Sequence, residues 1–329
     1  MNPPINIPTN PAYRYHKAPD PNGPVYTPNI YQLELEINYN CGLGCNNCNR
    51  LTQIEAGNLS QMITVKQLDD MLKESVALGH KWLKMKFIGG EAMIHPNFWE
   101  MLDLVCAYQQ SFSPELKIHI ATHGQGEFAR KCILRLNAER RPNVIIENTN
   151  KTTNIRPEFD TMTVAPKDLR PEFNQPGYQY RGCWIPHWVG LGFNYQGFYV
   201  CGPGAGIDRI FDLGLMIAKL KTILDDAKNG SPGLIGQYNP LCALCGHYAP
   251  LNGVKTTLIS PTWHKAMVKY EKRQEARLAL KHAYSPSQKH SLVVLGQGTA
   301  LRKSEKTVIK LPPASDTGGL PPMRFKFNK

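Results

Sequence analysis

Polar and apolar residues alternate with period two over residues 31–40, YQLELEINYN, which predicts a strand running into a cysteine-bearing loop. The next pattern has the period of a helix. Over 64–78, TVKQLDDMLKESVAL, it sets Leu68, Met71, Leu72 and Val76 on one face. WLKMKFIGGE (82–91) reads as a strand closed by a glycine turn, NFWEMLDLVCAYQQ (97–110) as a helix, and LKIHIATHG (116–124) as a strand. GEFARKCILRLNAE (126–139) and NVIIENT (143–149) add a helix and a strand. The order βαβαβαβ predicts a parallel sheet with outer helices, either an open doubly wound sheet or a whole or partial barrel. In both, ligands sit at the carboxyl ends of the strands. Those ends are Cys41 to Cys48, Gly89-Gly90-Glu91, Thr122-His123-Gly124 and Glu147-Asn148, so the polar and glycine-bearing motifs share one rim.

Composition narrows the class. With 329 residues and 42% hydrophobic content, the chain can bury a core in one large domain or two unequal ones. No stretch reaches the roughly 18 apolar residues of a membrane helix, and the Pro- and Asn-rich N-terminus lacks a signal peptide's apolar centre. A soluble, cytoplasmic protein is expected. Nine cysteines in such a chain point to metal or redox chemistry rather than to a disulfide framework. The net charge of +12 suggests nucleic acid until it is located: from Trp263 onward stand 14 Lys and Arg against 4 Asp and Glu. The basicity belongs to the C-terminal end.

Cys41, Cys45 and Cys48 form CxxxCxxC, and Gly42 and Gly44 between them discourage a regular helix. A glycine-bearing loop can wrap a compact inorganic group. Thiolates at this density suit iron–sulfur or zinc. Three protein ligands leave one coordination position open, the mark of a site that binds substrate or cofactor. Zinc would take a fourth ligand, with His80 and His95 as candidates.

These motifs resemble those of the radical S-adenosylmethionine (radical SAM) enzymes: CxxxCxxC after the first strand, Gly89-Gly90-Glu91 followed by His95-Pro96 after the second, and Thr122-His123-Gly124 in place of Thr-Asn-Gly after the third. Asn47 stands where the family usually has an aromatic residue. The resemblance implies a partial TIM-like (β/α) barrel and a [4Fe–4S] cluster on Cys41, Cys45 and Cys48. S-adenosylmethionine would lie against Gly89, Gly90, Glu91 and Thr122, with its ribose near Glu147 or Asn148. It also implies reductive cleavage to a 5′-deoxyadenosyl radical that abstracts a substrate hydrogen, and an external one-electron donor of flavodoxin or ferredoxin type.

Cys183, Cys201, Cys242 and Cys245 follow the barrel pattern. GLGFNYQGFYVC between the first two reads as a hairpin turning at Asn194 to Gly197. Four thiolates without a gap describe a closed site, a second Fe–S cluster or structural zinc. The order Cys, hairpin, Cys, helix, CxxC is similar to the auxiliary-cluster (twitch, SPASM-like) domain of radical SAM dehydrogenases that act on 2-deoxy-scyllo-inosamine. That resemblance implies a second [4Fe–4S] cluster on these four residues. The resulting division is an extended arm (1–30), a radical SAM partial barrel (31–180), an auxiliary-cluster domain with a β-hairpin and helix (181–255), a charged helix (256–284) and a basic, mobile tail (285–329).

The remaining features read as structure. Cys106 and Cys132 fall within helices, where a small buried residue is expected. Residues 213–230 predict an amphipathic helix ending at Gly230. Asp208 and Arg209 suggest an ion pair or a cap, and His187 a surface histidine. Residues 262–284 predict a charged helix with no clean apolar stripe. The tail beyond it reads as solvated, or as a dock for nucleic acid, an acidic carrier or a peptide. The leading expectation is therefore a radical SAM oxidoreductase acting on a small, polar, sugar- or cyclitol-like substrate. With every loop cysteine assigned to a cluster, a two-electron oxidation of alcohol to ketone is favoured over epimerisation. A radical SAM enzyme that epimerises or cross-links a peptide or modifies RNA, and a non-catalytic zinc-binding protein, are the alternatives. The sequence names no catalytic base.

Overall fold

The computed structural model describes residues 23, 26–43, 45, 48–52, 54, 61–151, 162–169, 182–229, 233–248 and 259–284. The arm before residue 23 and the tail from 285 lie outside the described residues. In chain order the first half holds β1 (Gln32–Asn38), α1 (Val65–Ala77), β2 (Lys84–Gly89), α2 (Phe98–Ser111), β3 (Lys117–Thr122), α3 (Gly126–Glu139) and β4 (Val144–Asn148). Each matches an expected element. After the short α4 (Pro166–Leu169) and α5 (Ile185–Trp188) come β5 (Leu191–Phe193) and β6 (Phe198–Tyr199). Four helices follow: α6 (Gly202–Phe211), α7 (Leu220–Asn229), α8 (Gly233–Cys242) and α9 (Pro261–Tyr284).

The protein is mixed α/β, with one six-stranded sheet in the order β4-β3-β2-β1-β5-β6. β1 to β4 pair parallel, each with the next. β5 lies parallel on the other side of β1, with Leu33 opposite Leu191 and Leu35 opposite Phe193. β6 closes the hairpin antiparallel, through a turn in which Asn194 and Gly197 exchange backbone bonds of 3.1 and 3.2 Å. The sheet thus runs without a break across the division drawn at residues 180 and 181.

The two faces of this sheet differ in chemistry. Leu33, Leu35 and Ile37 of β1, Met85 and Phe87 of β2, and Ile118 and Ile120 of β3 are fully buried in one apolar core with Leu68, Phe98, Met101 and Val105. Each such side chain removed from water contributes roughly 1.5–3 kcal/mol. The opposite face carries Glu34, Glu36, Lys86, His119 and Glu147. Alternation of this kind is unlike a parallel sheet covered by apolar helices on both sides, whose strands read as continuous apolar runs.

Helix termini and turns follow local rules. Thr64 and Gln67 form a reciprocal capping box at the start of α1, worth about 1 kcal/mol. The expected face of that helix is corrected at one position. Val76 is 46% exposed, whereas Ser75 is buried, accepting from Trp82 Nε1 at 2.9 Å and donating to Met71 O at 2.9 Å. A polar residue takes the core position because both its hydrogen-bonding roles are filled there.

Two further expectations are corrected. The helix read over 213–230 begins only at Leu220. Upstream, the Asp208 carboxylate accepts from the amides of Leu213 (2.8 Å) and Leu215 (3.1 Å). Ile217 exchanges backbone bonds of 2.8 and 3.0 Å with Phe198. These bonds hold the segment extended. The helix expected over 262–284 forms as α9, but it does carry an apolar stripe. Trp263, Ala266, Met267 and Tyr270 are buried at helical spacing, and Trp263 Nε1 donates to Leu244 O at 2.8 Å. Among the described residues no helix is long and apolar enough to cross a membrane.

Candidate metal centre

The register shift of β1 against β2 after Glu36 sets Asn38 opposite Gly89 and brings the two strand ends together. Gly90 N donates to Asn38 O at 3.0 Å and Glu91 N to Asn40 O at 2.7 Å. A Cβ on Gly89 would overlap Asn38 O, and one on Gly90 would overlap Asn40 O. Gly89 also has φ +142°, in the region that favours glycine. Both glycines therefore serve the seating of the Cys41 loop on the second strand.

Glu91 is buried at 1% exposure. Its Oε2 accepts from Thr122 Oγ1 (2.9 Å) and from His123 N (3.0 Å), tying the ends of β2 and β3. Burial nevertheless pushes its carboxyl up to about 7. His123 Nε2 lies 3.3 Å from the same oxygen. Burial, with Lys151 nearby, pushes that imidazole down to about 4, so it is neutral at physiological pH.

The cysteine loop is stitched by its own backbone. Cys48 N donates to Cys45 O at 3.2 Å, and Leu51 N to Cys48 O at 3.0 Å. Each sulfur has a donor: Leu43 N to Cys41 Sγ (3.4 Å), Thr52 Oγ1 to Cys48 Sγ (3.3 Å) and Lys151 Nζ to Cys45 Sγ (3.8 Å). Burial, and then the neighbouring Cys48, Glu91 and Cys45, push the Cys41 thiol up to about 12. A metal at this site would offset that cost for Cys41, because it binds the deprotonated sulfur.

Cys41, Cys45 and Cys48 line a cavity of about 270 Å³, together with Gly89, Gly90, Thr122, His123, Glu147 and Lys151 from the strand ends. Trp184, Ile185, Val189, Pro203 and His247, from the second half of the chain, line it as well. Three of these five flank cysteines of the second set. Trp184 follows Cys183, Pro203 is two residues beyond Cys201, and His247 is two residues beyond Cys245. The Trp184 and His247 rings meet edge to face at 6.3 Å.

The second set also converges. Cys183 is buried and packs against Ile185, Cys242 and Cys245. Cys201 caps α6, its sulfur accepting from Gly204 N at 3.4 Å. Burial, followed by Cys183 nearby, pushes its thiol up to about 12. Cys245 N donates to Cys242 O at 3.2 Å, folding the CxxC into a turn beyond α8.

The other sequence-predicted residues are placed as follows. Glu147 lines the cavity with its carboxylate already engaged by Lys86 Nζ and His119 Nδ1, each at 2.6 Å. Those partners outweigh burial and hold it down to about 2, a permanent acceptor for a hydroxyl. Asn148 is exposed and caps Asn150 N at 2.9 Å. Glu91 and Asn148 are absent from the cavity lining, whereas Gly89, Gly90, Thr122 and Glu147 belong to it. Cys106 and Cys132 are buried on α2 and α3. Asp208 lies inside α6 and caps neither end; its carboxylate accepts from Tyr199 OH (2.8 Å), while Arg209 donates to Leu51 O (2.8 Å) and Tyr270 OH (2.8 Å). His187 is exposed, with Nδ1 3.1 Å from Thr27 O.

Sequence reading passed over Glu34, Arg50, Lys86, Lys151, Trp184 and His247, all of which line the cavity. A signal existed for two of them. The charged residues of LELEI and KMKFI sit at every second position, on the face turned away from the apolar core.

The donor set of the first site is thiolates only, three of them facing a shared cavity. Soft donors of this kind fit an iron–sulfur cluster with one iron left for an exogenous ligand. Four thiols drawn from three separate segments equally fit a closed site. Among the described residues no group of three or more His, Cys, Asp or Glu side chains is poised around a single ion.

No protein-family model matches the chain, and no curated protein matches it. Solved structures similar to the chain include two of BtrN. One, of BtrN in an open conformation, is 13% identical over 67% of this chain and 87% of that one, with a TM-score of 0.36. The other, of BtrN in complex with AdoMet and 2-DOIA, is 11% identical over 68% of this chain and 91% of that one, with a TM-score of 0.38.

Proposed function

We propose that the protein is a radical SAM oxidoreductase that removes a hydrogen from a small, polar, sugar- or cyclitol-like substrate and completes a two-electron oxidation. One observation carries this reading. The CxxxCxxC thiols, the strand ends Gly89-Gly90 and Thr122, and residues that flank cysteines of the second set all line one cavity. The sequential order of β1 to β4 supports the winding of a (β/α) barrel over those four strands, although β5 joins the other edge of β1. We therefore read the sheet as an arc of a partial barrel, closed at its rim by an auxiliary-cluster region.

Cys41, Cys45 and Cys48 are assigned to a [4Fe–4S] cluster, and Cys183, Cys201, Cys242 and Cys245 to a second. When bound, these groups with S-adenosylmethionine supply the 5′-deoxyadenosyl radical and an electron acceptor. The chain supplies position, polarity and dryness. Gly89 and Gly90 keep the second strand's end close to the cysteine loop. Glu91 fixes Thr122 and His123 on the same rim. Glu147, held ionised by Lys86 and His119, accepts a hydrogen bond from a hydroxyl of the ribose or of the substrate. Trp184, Ile185, Val189 and Pro203 line the same cavity and exclude water from a reactive radical. The polar face of the sheet suits a substrate rich in hydroxyls. An external one-electron donor of flavodoxin or ferredoxin type is the partner that this chemistry requires.

Metal content and product mass test the proposal. Anaerobically reconstituted protein is expected to carry about eight irons, and the Cys242→Ala, Cys245→Ala variant about four. Reduced protein with S-adenosylmethionine and candidate cyclitols is expected to give a product two hydrogens lighter than its substrate. One zinc with about four irons would make the second site structural. A product of unchanged mass that has taken up one solvent deuterium would replace oxidation by epimerisation.

A further inference from the structure

Between the two cysteine sets lies a buried charge cluster outside the family motifs. Arg50 stands two residues beyond Cys48. Its Nη1 donates to Glu36 Oε1 at 2.6 Å and its Nη2 is paired with Glu34 Oε2. The arginine side chain is 5% exposed and the two carboxylates 3% and 0%. Glu36 has a second donor, Tyr39 OH, at 2.7 Å. Three ionisable groups out of water need good geometry to be tolerated at all, and the planar two-pronged guanidinium supplies it.

The cluster is pressed against the second cysteine set. A Cβ on Gly202, the residue after Cys201, would overlap Arg50 Nη1 and Glu34 Oε2 and lie 2.9 Å from Arg50 Cζ. Nothing larger than glycine fits beside the guanidinium. The contact continues along α6. A Cβ on Gly206 would lie 3.5 Å from Arg50 O and from Leu51 Cδ1, and Arg209 Nη2 donates to Leu51 O at 2.8 Å. Helix α6, which Cys201 caps, is therefore docked on the two residues that follow the first cysteine loop.

We propose that Arg50 is a positioning residue for the second metal site, coupling the CxxxCxxC loop to the Cys183–Cys201–Cys242–Cys245 set by laying its guanidinium against Gly202. A metal ligand is held in place by the groups packed around it, and the rigid Arg50–Glu34–Glu36 cluster braces the backbone beside Cys201. The inference rests on the reading above only in requiring that the second set binds metal, iron or zinc. Glu34 and Glu36 aim the guanidinium, and Gly202 admits it.

The test is metal release from the holoprotein. Purified protein is exposed to excess EDTA, and iron and zinc retained per chain are followed with time by plasma mass spectrometry. Arg50→Met is expected to release second-site metal about tenfold faster than wild type, the scale on which an outer partner of a metal ligand acts. Arg50→Lys, which keeps the charge but not the two-pronged reach, is expected to recover part of that loss. The difference is expected to vanish in a Cys242→Ala, Cys245→Ala background. Because Arg50→Met strands two buried carboxylates, Gly202→Ala serves as a second variant. It keeps every charge, displaces the guanidinium and is expected to speed release likewise. Release at the wild-type rate in Gly202→Ala, or in a folded Arg50→Met, would overturn the proposal. So would failure of Arg50→Lys to recover anything. Wild-type protein with zinc in the second site would contradict the acceptor reading while the same variants still decide the role of Arg50. A second site without metal would overturn both.

Discussion

Thr122 Oγ1 donates a 2.9 Å hydrogen bond to Glu91 Oε2, joining the ends of two neighbouring parallel strands through one buried carboxylate. The same oxygen takes the His123 amide. The rim of the candidate site is thus held by side chains as well as by the sheet ladder, and that hold can be removed one group at a time.

Replacing Glu91 by Ala leaves the Thr122 hydroxyl and the His123 amide without their acceptor. At about 1–3 kcal/mol for each stranded buried group, the variant is expected to lose about 2–6 kcal/mol in urea denaturation. Glu91→Gln keeps an acceptor oxygen and is expected to lose less than half of that. Equal losses in the two variants would show that the carboxylate does not tie the strands.

Gly90→Ala is expected to be costlier than an ordinary glycine replacement, because the new methyl would overlap Asn40 O. Gly79 provides the control, with φ +66° and nothing within 4 Å of the Cβ position. Gly79→Ala is expected to cost about 1–2 kcal/mol from backbone strain alone. Gly90→Ala should exceed that and reduce the iron bound at the first site, as measured by denaturation and iron analysis. Normal stability with a full complement of iron would contradict the tight seating of the cysteine loop.

His95 predicts a pH dependence. It is 5% exposed, and burial holds its imidazole down to about 4. Nε2 lies 3.0 Å from Ile63 O, and Nδ1 accepts from Asn97 N at 3.1 Å, which fixes the neutral ring with its proton on Nε2. A depressed folded value means that the unfolded chain takes up the proton first. The stability His95 contributes is therefore complete above about pH 6.5 and is lost as pH falls toward 4, by roughly 3 kcal/mol in all. In urea titrations of apoprotein across that range, wild type should fall toward the His95→Gln variant as pH drops. A gap between the two that stays constant with pH would contradict the assignment.

Much of the fold was legible because local pattern and tertiary context agree. The four strands and three helices of the first half have uninterrupted periods, and the Asn194–Gly197 turn has the residues its geometry requires. Legibility failed where a distant partner decides. Ser75 is a core residue only because Trp82 lies over it, and Leu213 to Lys219 stay out of helix because Asp208 and Phe198 capture their backbone. The stripe of α9 was hidden by its charged neighbours, since Trp263, Met267 and Tyr270 are sparse among Lys and Arg. At the site, the cysteines and strand-end glycines were visible as motifs. Arg50 was not, because its meaning comes from Gly202, 152 positions further along the chain.

The central claim is that Cys41, Cys45 and Cys48 form the site at which S-adenosylmethionine is cleaved. Its most direct measurement is the amount of 5′-deoxyadenosine formed by reduced, reconstituted protein under anaerobic conditions. Wild type is predicted to release 5′-deoxyadenosine and methionine, and the Cys41→Ala, Cys45→Ala, Cys48→Ala variant to form none above the enzyme-free background. Formation at the wild-type rate by the triple variant, or none by an iron-loaded wild type, would contradict the account.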